Sequence, residues 1–560
     1  MAGHQNGNSA GLAPNIDPTD HAYDYPLLLK YLLATALARD PAQEIVYRDL
    51  VRHDYRTLRD RVGRLADGLT ALGLKAGSII GVLDWDSHRY LEAYFAIPGM
   101  GAVLHMVNVR LSPEQILYTI NHAADDALLV HVDFLPMLEA IWDRVETVRT
   151  IVVITDDGQL VQTSLPIAGE YEKLLNGASP EFLFPDLDEN SRATTFYTTG
   201  TTGLPKGVFF SHRQLVLHTL SLATTLASSP TQGRLDRGDV YMPITPMFHV
   251  HAWGFPFVAT MLGLKQVYPG RYTPDILIAL QQTEKVTFSH CVPTLLHMLF
   301  ASPEAAAADF TGWKVIVGGT ALSKGLAYAA LERGIDVFAG YGMSETCPVL
   351  TITQVTRDQL QEGGVAEVEL RTRAGMPLPL VELQIVDADM RPLAHDGESA
   401  GEIVARAPWL TKGYLADPGS SQALWRGGYL HTNDIGVIHP DGYLQITDRM
   451  KDVIKTGGEW ISSLEIEDII SQHPGVSEVA VIGIPDARWG ERPLAIVVVK
   501  AGHAEAVSET SIKTQVQDFC ERGIISKWAV PSTVLFCDAL EKTSVGKLDK
   551  KALRQRYIGS

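Results

Sequence analysis

The stretch Tyr197-Thr198-Thr199-Gly200-Thr201-Thr202-Gly203-Leu204-Pro205-Lys206-Gly207 is the most informative part of this sequence. Its glycines let the backbone approach an anion closely, its threonines supply hydroxyl donors, and Lys206 supplies a cation. Successive backbone N–H groups in such a loop form a concavity that binds phosphate. A flexible surface turn would explain the glycines, but not four hydroxyls and a lysine packed among them. The stretch therefore predicts a phosphate-binding loop, distinct from the GxxxxGK[ST] pattern because Gly207 follows Lys206.

Strand-like apolar runs alternate with amphipathic stretches on both sides of this loop. The runs are Ser78 to Leu83, Ala127 to Val132, Val286 to Ser289 and Ile335 to Ala339, and the spacing from Leu58 to Leu72 is helical. Strands that alternate with helices imply parallel sheets covered by helices on both faces, an α/β fold. After Gly375 the strands become short and separated by turns, which indicates a small β-rich subdomain.

The C-terminal part has the pattern of a compact α+β unit. A charged run, Asp448-Arg449-Met450-Lys451-Asp452, precedes it and marks the expected hinge. We expect a disordered leader over residues 1–20, a large N-terminal domain over 21–449 and a small mobile C-terminal domain over 450–560. A chain of 560 residues exceeds one hydrophobic core, which agrees with at least two domains.

Composition excludes several classes of protein. The chain is 46% hydrophobic and 20% charged, which is ordinary globular composition and not that of a disordered chain. Its 47 basic and 65 acidic residues give a net charge of −18, and this field disfavours nucleic acid as a partner. The four cysteines lack CxxC spacing and support neither a zinc site nor a disulfide framework. With no signal-peptide pattern and no long apolar run, we expect a cytoplasmic protein without a transmembrane segment.

Further motifs follow the glycine–threonine loop in a definite order. They are Pro246-Met247-Phe248-His249, Val317-Gly318-Gly319-Thr320-Ala321, Tyr341-Gly342-Met343-Ser344-Glu345-Thr346, Gly401-Glu402-Ile403, Thr432-Asn433-Asp434, Asp448-Arg449 and Lys542-Thr543-Ser544-Val545-Gly546-Lys547. Together with the loop they resemble the adenylate-forming superfamily of acyl-CoA synthetases, luciferases and peptide-synthetase adenylation domains. The resemblance covers nearly the whole chain and implies ATP and coenzyme A as co-substrates, with Mg²⁺.

The resemblance assigns metal binding to Glu345, and the residues give a physical reason. A carboxylate beside a phosphate loop would be repelled unless a divalent cation lay between them, so Glu345 and the Thr198 hydroxyl are suitable oxygen ligands for Mg²⁺. A helix-capping carboxylate is the alternative for Glu345 taken alone. By resemblance, Ser344 contacts the α-phosphate.

Asp434 and Arg449 correspond to family residues that bind the ribose of ATP. An ionised carboxylate can accept hydrogen bonds from both ribose hydroxyls. A turn-forming Asp and a surface Arg would be the interpretations without the flanking motifs. Asn433 stands where the family pattern has glycine, and Asn tolerates left-handed backbone angles better than most residues.

Lys547 is the residue on which the predicted chemistry depends. By resemblance it reaches from the small domain to the carboxylate and the α-phosphate, where a fixed cation offsets the charge of two anions brought together. The small domain then rotates and presents a second face to the thiol. Lys451 occupies the matching hinge position, and Lys455 matches a lysine of that second face, with Gly457-Gly458 giving room for the pantetheine arm. The alternative interpretation of the segment from Lys451 to Lys455 is a strand with charged residues on its solvent-exposed side.

The remaining nucleotide contacts are also assigned by resemblance. They are Thr199, Gly200, Thr201, Thr202, Gly203, Lys206, Gly319, Gly340, Tyr341, Gly342 and, against the adenine, Trp460. At Gly319 and Gly340 we expect a missing side chain to make room for ligand.

Two segments, from Phe248 to Gly254 and from Gly457 to Ser463, look like the medium- to long-chain fatty acyl-CoA synthetase branch. In that branch the tryptophan matching Trp253 gates the acyl tunnel, although a core aromatic is the competing interpretation. His249, Val250 and Gly319 complete the expected wall of the acid pocket, with His249 as a wall residue and not a proton-transfer group.

Three functions remain in competition at this point. The first is an AMP-forming acyl-CoA synthetase for a medium- to long-chain fatty acid, with related enzymes for aryl, terpenoid or short thioether acids as variants. The second is an adenylating enzyme with another acceptor, such as a carrier protein, oxygen or a free amine. The third is a non-catalytic nucleotide-binding homologue, which would not need Lys206, Glu345, Asp434 and Lys547 together. Whether the protein forms a homodimer is left open.

Overall fold

The computed structural model describes residues 19–159, 162–198, 204–456, 459–503 and 505–558, with the backbone alone for Trp460. Thr199, Gly200, Thr201, Thr202 and Gly203 of the predicted phosphate loop lie outside the described residues, and so do Gly457 and Gly458. The predicted α/β class is confirmed, with a large N-terminal domain of sheets and a smaller C-terminal domain. The boundary between residues 449 and 450 stays a prediction.

The strands are numbered in chain order. They are β1 Glu44–Tyr47, β2 Val51–Asp54, β3 Ile79–Leu83, β4 Val103–Met106, β5 Ala127–His131, β6 Thr150–Ile154, β7 Ile167–Glu170, β8 Arg192–Thr198, β9 Lys206–Ser211, β10 Val240–Tyr241, β11 Lys265–Tyr268, β12 Phe288–Cys291, β13 Lys314–Val317, β14 Asp336–Gly342, β15 Val349–Ile352, β16 Met376–Pro377, β17 Glu382–Val386, β18 Gly401–Arg406, β19 Leu430–Ile438, β20 Leu444–Arg449, β21 Ile454–Thr456, β22 Glu459–Ile461, β23 Val476–Asp486, β24 Gly490–Val499 and β25 Thr533–Phe536.

The helices lie between these strands. They are α1 Lys30–Arg39, α2 Tyr55–Ala71, α3 His88–Gly99, α4 Pro113–Ala123, α5 Leu135–Ile141, α6 Tyr171–Asn176, α7 His212–Ser228, α8 Phe255–Leu262, α9 Pro274–Thr283, α10 Pro293–Ala301, α11 Lys324–Leu331, α12 Arg357–Glu362, α13 Gly364–Thr372, α14 Pro418–Leu424, α15 Ser463–Ser471, α16 Glu509–Glu521 and α17 Lys550–Ile558.

Two large sheets form the N-terminal domain. One has the strand order β7-β6-β5-β3-β4-β8-β9, and the other has the order β16-β15-β14-β13-β12-β10-β11-β1-β2. Their central strands are parallel, and antiparallel pairs occur at the edges, where β9 joins β8 and β15 joins β14. Every residue of α3 is buried, so this helix is enclosed on all sides, and its charged residues Arg89 and Glu92 are in ion pairs.

One predicted strand is displaced by the end of the preceding helix. The sequence pattern places a strand from Val286 to Ser289, but β12 runs from Phe288 to Cys291. The backbone N–H of Val286 donates to the carbonyl of Gln281 and thereby belongs to the end of α9. Apolar character alone does not separate a helix-terminal valine from a strand residue.

The β-rich subdomain and the C-terminal unit follow the predicted pattern. Strands β17 to β20 form a four-stranded antiparallel sheet in sequence order. In the C-terminal unit, β23 and β24 form a long antiparallel pair. The other edge of β24 pairs with β21 at its start and with β25, in parallel, further along, and β22 pairs with β21. Helix α15 packs against β23 with Ile466 and Ile470 fully buried. We call this unit, from residue 450 onward, the lid.

Candidate functional site

A small cavity lies beyond the carboxyl ends of β13 and β14. Open α/β sheets bind ligands at this edge. The cavity has a volume of about 30 Å³, and its walls bring together residues that are far apart in the chain. They include His249, Val250, Trp253, Gly319, Tyr341 and Lys547. Residues predicted for the acid and residues predicted for the nucleotide thus share one cavity.

Lys547 enters this cavity from the lid. A Cβ placed on Gly319 would lie 2.8 Å from Cε of Lys547 and 3.5 Å from its Nζ. Gly319 also has a φ of +80°, a conformation that favours glycine. The room left at Gly319 is therefore filled by the lysine side chain. At Gly340 the absent side chain makes room for Ile316, whose Cγ2 would be 3.0 Å from a Cβ.

The charge of Lys547 is finely balanced by its surroundings. Burial, followed by the nearby Arg449 guanidinium, lowers the pKa of Lys547 to about 8, while Asp434 and Glu345 act in the opposite direction. Burial disfavours the charged form of an amine, and neighbouring carboxylates favour it. The two acidic residues thus favour the charged form of Lys547 in a buried site.

The loop that carries Lys547 is held in the N-terminal domain by polar and apolar contacts. Thr294 donates its hydroxyl to the carbonyl of Gly546 at 2.7 Å, and the Asn108 amide donates to Ser544 Oγ at 3.2 Å. Val545 is 6% exposed and packs within the core of the N-terminal domain. These contacts fix the loop in the position that places Lys547 in the cavity.

Glu345 lies in a single 3₁₀ turn, Ser344–Thr346, just after β14. Its Oε1 accepts a hydrogen bond from the Tyr414 hydroxyl at 2.7 Å, and its backbone carbonyl accepts one from Thr411 N at 2.9 Å. Burial raises the pKa of Glu345, and the Tyr414 hydrogen bond and the charges of Lys547 and Lys206 oppose this rise. The position of Glu345 in a turn is compatible with the capping alternative. Its carboxylate, however, accepts a hydrogen bond from Tyr414 and lies near the charges of two lysines.

Thr198 and Lys206 are directly opposite each other, at the last residue of β8 and the first residue of β9. Lys206 Nζ donates to Ser420 Oγ at 2.8 Å and lies 4.7 Å from the centre of the Tyr414 ring. A hydroxyl at Thr198 and a buried carboxylate at Glu345 are oxygen donors of the kind that Mg²⁺ prefers, so these residues fit a magnesium site.

Asp434 on β19 contacts one residue of β14 and one residue of β20. The Tyr341 hydroxyl donates to Oδ2 at 2.8 Å, and Arg449 Nε lies 3.6 Å from Oδ1. Asp434 and Arg449 are paired across β19 and β20. Asn433 has a φ of 58°, so it adopts the left-handed conformation for which the family pattern uses glycine. The turn is therefore kept although the glycine is absent.

The two lysines predicted for the hinge and the second face lie on the lid side. The backbone turns at the predicted hinge, where Asp452 N donates to the carbonyl of Arg449 at 2.8 Å, and Lys451 lies within this turn. Lys455 is exposed on β21, and its backbone N–H donates to Glu491 at 2.8 Å. Among the described residues, the cavity wall contains Lys547 and not Lys455. The structure thus has the lid in the position that places Lys547, and not Lys455, in the cavity wall.

The part of the cavity wall that is predicted to contact the acid is formed by an unusual turn. Val250, His251, Ala252 and Trp253 have φ values of 49°, 57°, 46° and 58°, four successive left-handed residues. This conformation costs about 1–2 kcal/mol for each non-glycine residue. Trp253 is 6% exposed, and Cη2 of its ring would be 3.1 Å from a Cβ placed on Gly318. His249 is neutral, because burial lowers its pKa to about 3, and this supports a wall residue.

Sequence reasoning missed Tyr414 and the residues that receive the lid. Tyr414 contacts both Glu345 and Lys206, yet it lies outside the motifs from which the site was predicted. The constrained backbone before Tyr414, where Gly413 has a φ of +154°, is visible only in the structure. Asn108 and Thr294 gave no signal, because their contacts with the lid depend on tertiary structure.

Comparison with known proteins agrees with this geometry. The AMP-binding enzyme family model matches residues 33–415, and the model of the AMP-binding enzyme C-terminal domain matches residues 465–547. A long-chain-fatty-acid–CoA ligase of Thermus thermophilus is 39% identical over 95% of this chain and 96% of its own length. A 3-methylmercaptopropionyl-CoA ligase of Ruegeria lacuscaerulensis is 36% identical over 95% of this chain and 97% of its own.

A solved structure shows the same fold. An anthranilate CoA ligase in complex with anthranoyl-AMP superposes with a TM-score of 0.83 at 23% identity, over 96% of this chain and 98% of that one. In the part of the chain that the structure describes, no helix has the length and apolar character needed to cross a membrane. With its two family models matched in order and its motifs gathered around one cavity, the chain belongs to the AMP-binding enzyme family, within the adenylate-forming superfamily.

Proposed function

We propose that this protein joins a medium- to long-chain fatty acid to coenzyme A. It is an AMP-forming acid–thiol ligase, with ATP and CoA as co-substrates. In the first step a carboxylate oxygen attacks the α-phosphorus of ATP, which gives acyl-AMP and releases pyrophosphate. In the second step the CoA thiolate attacks the acyl carbonyl, which gives acyl-CoA and releases AMP. A cytoplasmic location remains a prediction.

The observation that carries this proposal is the position of Lys547. Its side chain lies against Gly319 in the cavity that also holds the predicted acid-pocket residues, and the charges of Asp434 and Glu345 act on it. Carboxylate and phosphate repel each other as they approach, and a fixed ammonium offsets the charge that develops. No general base is required, because the acid is already ionised near neutral pH.

The other residues bind and orient the nucleotide. Asp434, held by Tyr341 and near Arg449, accepts hydrogen bonds from the ribose hydroxyls. Ser344 contacts the α-phosphate, and the glycine–threonine loop with Lys206 contacts the phosphates. Thr198 and Glu345 would hold Mg²⁺, which when bound neutralises part of the phosphate charge.

Rotation of the lid about Lys451 separates the two steps in this proposal. Lys455 lies exposed on β21 while Lys547 lines the cavity, which supports two lid faces used in turn. The residue ranges 21–449 and 450–560 are the two bodies that rotate. Lys455 and Gly457-Gly458 would then face the thiol.

The relatives of this chain are named for acids of different chemistry. The Thermus relative is named for long-chain fatty acids, and the Ruegeria relative for a short thioether acid. Trp253 and Val250 line the cavity, and apolar contact discriminates by about 1–3 kcal/mol per methylene. A broad chain-length range therefore follows from the proposal.

A substrate panel tests the proposal directly. Short- to long-chain, aryl and thioether acids are compared by consumption of the CoA thiol, with ATP–pyrophosphate exchange measured in parallel. We expect the highest kcat/KM for medium- to long-chain acids, and a shifted length profile in Trp253→Ala. A preference for aryl or thioether acids would reject the fatty-acid assignment, and transfer to an amine but not to CoA would favour the second function. Absence of exchange with every acid would favour a non-catalytic homologue.

A further inference from the structure

We propose that Tyr414 is a positioning residue that sets the place of Glu345 and Lys206 at once. Its hydroxyl holds the carboxylate that would bind Mg²⁺, and its ring holds the ammonium that would bind phosphate. The inference rests on the proposed function, because it concerns the ATP half of that reaction.

The two contacts of Tyr414 use different parts of one side chain. The hydroxyl donates to Glu345 Oε1 at 2.7 Å. On the ring, Lys206 Nζ lies 4.7 Å from the centroid, within the range of a cation–π interaction. A phenylalanine would keep the second contact and lose the first, and a leucine would lose both. The contributions of the two contacts are therefore separable by substitution.

Tyr414 can position other groups because its own backbone is fixed. Its N–H donates to Ser421 Oγ at 2.9 Å, and the next residue, Leu415, donates to the carbonyl of Gly207 at 2.8 Å. A Cβ on Gly413 would lie 2.7 Å from Ser421 Oγ, so a larger residue at this position would clash with Ser421. The segment is thereby tied to the β8–β9 hairpin that carries Lys206.

A second tie connects the same segment to the turn that carries Glu345. Thr411 N donates to the carbonyl of Glu345 at 2.9 Å, and the Thr411 hydroxyl donates to the carbonyl of Phe209 on β9 at 3.0 Å. The carboxylate and the ammonium come from two motifs more than a hundred residues apart. The segment around Tyr414 is the structural link through which each is held relative to the other.

Loss of each of the two Tyr414 contacts should therefore have a different effect on ATP binding. Without the hydroxyl, the Glu345 carboxylate loses the donor that orients Oε1, and binding of Mg²⁺ with ATP should weaken. A hydrogen bond to a charged group is among the stronger ones in proteins, so we expect an effect of about tenfold. Without the ring, Lys206 loses a further contact, and binding of ATP should weaken even without metal.

The chain offers a matched control at its surface. The Tyr429 hydroxyl donates to Glu382, and the Arg406 guanidinium lies 3.7 Å from the Tyr429 ring centroid. This is the same combination of phenol, carboxylate and cation, made by residues that are not predicted to bind ATP or the acid. Tyr429→Phe therefore reports the general effect of removing such a hydroxyl.

The experiment compares wild type, Tyr414→Phe, Tyr414→Leu and Tyr429→Phe. The dissociation constant of ATP is measured by isothermal titration with Mg²⁺ and with EDTA, and the Mg²⁺ dependence of ATP–pyrophosphate exchange is measured with decanoate. We expect Tyr414→Phe to weaken ATP binding about tenfold in Mg²⁺ but not in EDTA, and to raise the Mg²⁺ requirement of exchange. Tyr414→Leu should weaken ATP binding in both, and Tyr429→Phe in neither.

A double-mutant cycle separates positioning from a merely structural role. In a Glu345→Gln background, Tyr414→Phe should add nothing to the loss of Mg²⁺-linked ATP binding. An equal loss in Mg²⁺ and in EDTA, an additive effect in the cycle, or unchanged binding in Tyr414→Phe would each overturn the inference. Absence of exchange by the wild type with every acid would instead reject the proposed function, while the binding measurements would still decide the role of Tyr414.

Discussion

Lys547 on the lid lies directly against Gly319 in the N-terminal domain. A Cβ on Gly319 would approach Cε of Lys547 to 2.8 Å and Val292 Cγ1 to 3.2 Å. The absence of one side chain in one domain therefore gives room for the cation of the other. The relation can be tested from either side.

Gly319→Ala should slow acyl-AMP formation more than the transfer of the acyl group to CoA. The new methyl group competes with Lys547 for space, and a φ of +80° adds strain of about 1–2 kcal/mol. The two half-reactions are measured as pyrophosphate exchange and as CoA consumption from supplied acyl-AMP. Gly312→Ala is the control, since Gly312 has a φ of +79° with nothing within 4 Å of a Cβ. Equal loss in both half-reactions would contradict the prediction.

Lys547→Met should reduce acyl-AMP formation by about 10²–10³, as expected for loss of one fixed electrostatic contact. Transfer from supplied acyl-AMP should be nearly unchanged. Lys542→Gln is a control in the same segment, because Lys542 pairs with Glu478 at 3.1 Å near the surface. Full exchange activity in Lys547→Met would remove the basis of the proposed mechanism.

Acyl-AMP formation should fall as the pH rises through about 8. Burial lowers the pKa of Lys547 to about 8, and the amine is a cation below that value and neutral above it. Arg449→Gln removes a positive neighbour and should move this fall to higher pH, while Asp434→Asn should move it to lower pH. Exchange at saturating ATP across the pH range gives these profiles. Shifts in the same direction for both variants would contradict the assignment.

Asp468→Ala should destabilise the docked state of the lid, in which Lys547 reaches the cavity. Asp468 of α15 accepts a hydrogen bond from Lys324 N at 2.8 Å, at the first residue of α11 in the N-terminal domain. N–H groups at helix starts lack partners within the helix, so a carboxylate there stabilises the contact by about 1 kcal/mol. We expect a decrease of about fivefold in pyrophosphate exchange. Asp518→Ala, at an exposed position of α16, should leave exchange unchanged.

Asn433→Gly should retain ATP affinity, and Asn433→Val should lose stability and ATP affinity together. Asn433 has a φ of 58°, which glycine adopts freely and a β-branched residue does not. The strain of about 1–2 kcal/mol falls on the residue next to Asp434. Thermal unfolding and the KM for ATP measure the two effects. A valine variant with wild-type values would show that the turn does not need this conformation.

The sequence determined the fold class and the family, and it predicted the site residues, of which His249, Trp253, Gly319 and Lys547 line one cavity. Alternation of apolar runs and amphipathic stretches has two different periods, so it distinguishes strands from helices without any knowledge of the fold. The boundaries were less secure, as the displaced start of β12 shows, because a valine at the end of a helix and one in a strand carry the same local signal.

The tertiary structure alone decided which of these residues act together. Lys547 and Gly319 are 228 positions apart, and their contact depends on how the lid docks through Thr294 and Asn108. Tyr414 belongs to none of the recognised motifs and yet joins Glu345 to Lys206. A local sequence pattern reports the periodicity and the chemistry of residues that are neighbours along the chain. A site, in contrast, is made of groups that are distant in sequence and that folding brings together. Their burial then shifts their pKa values and so determines which of them are charged.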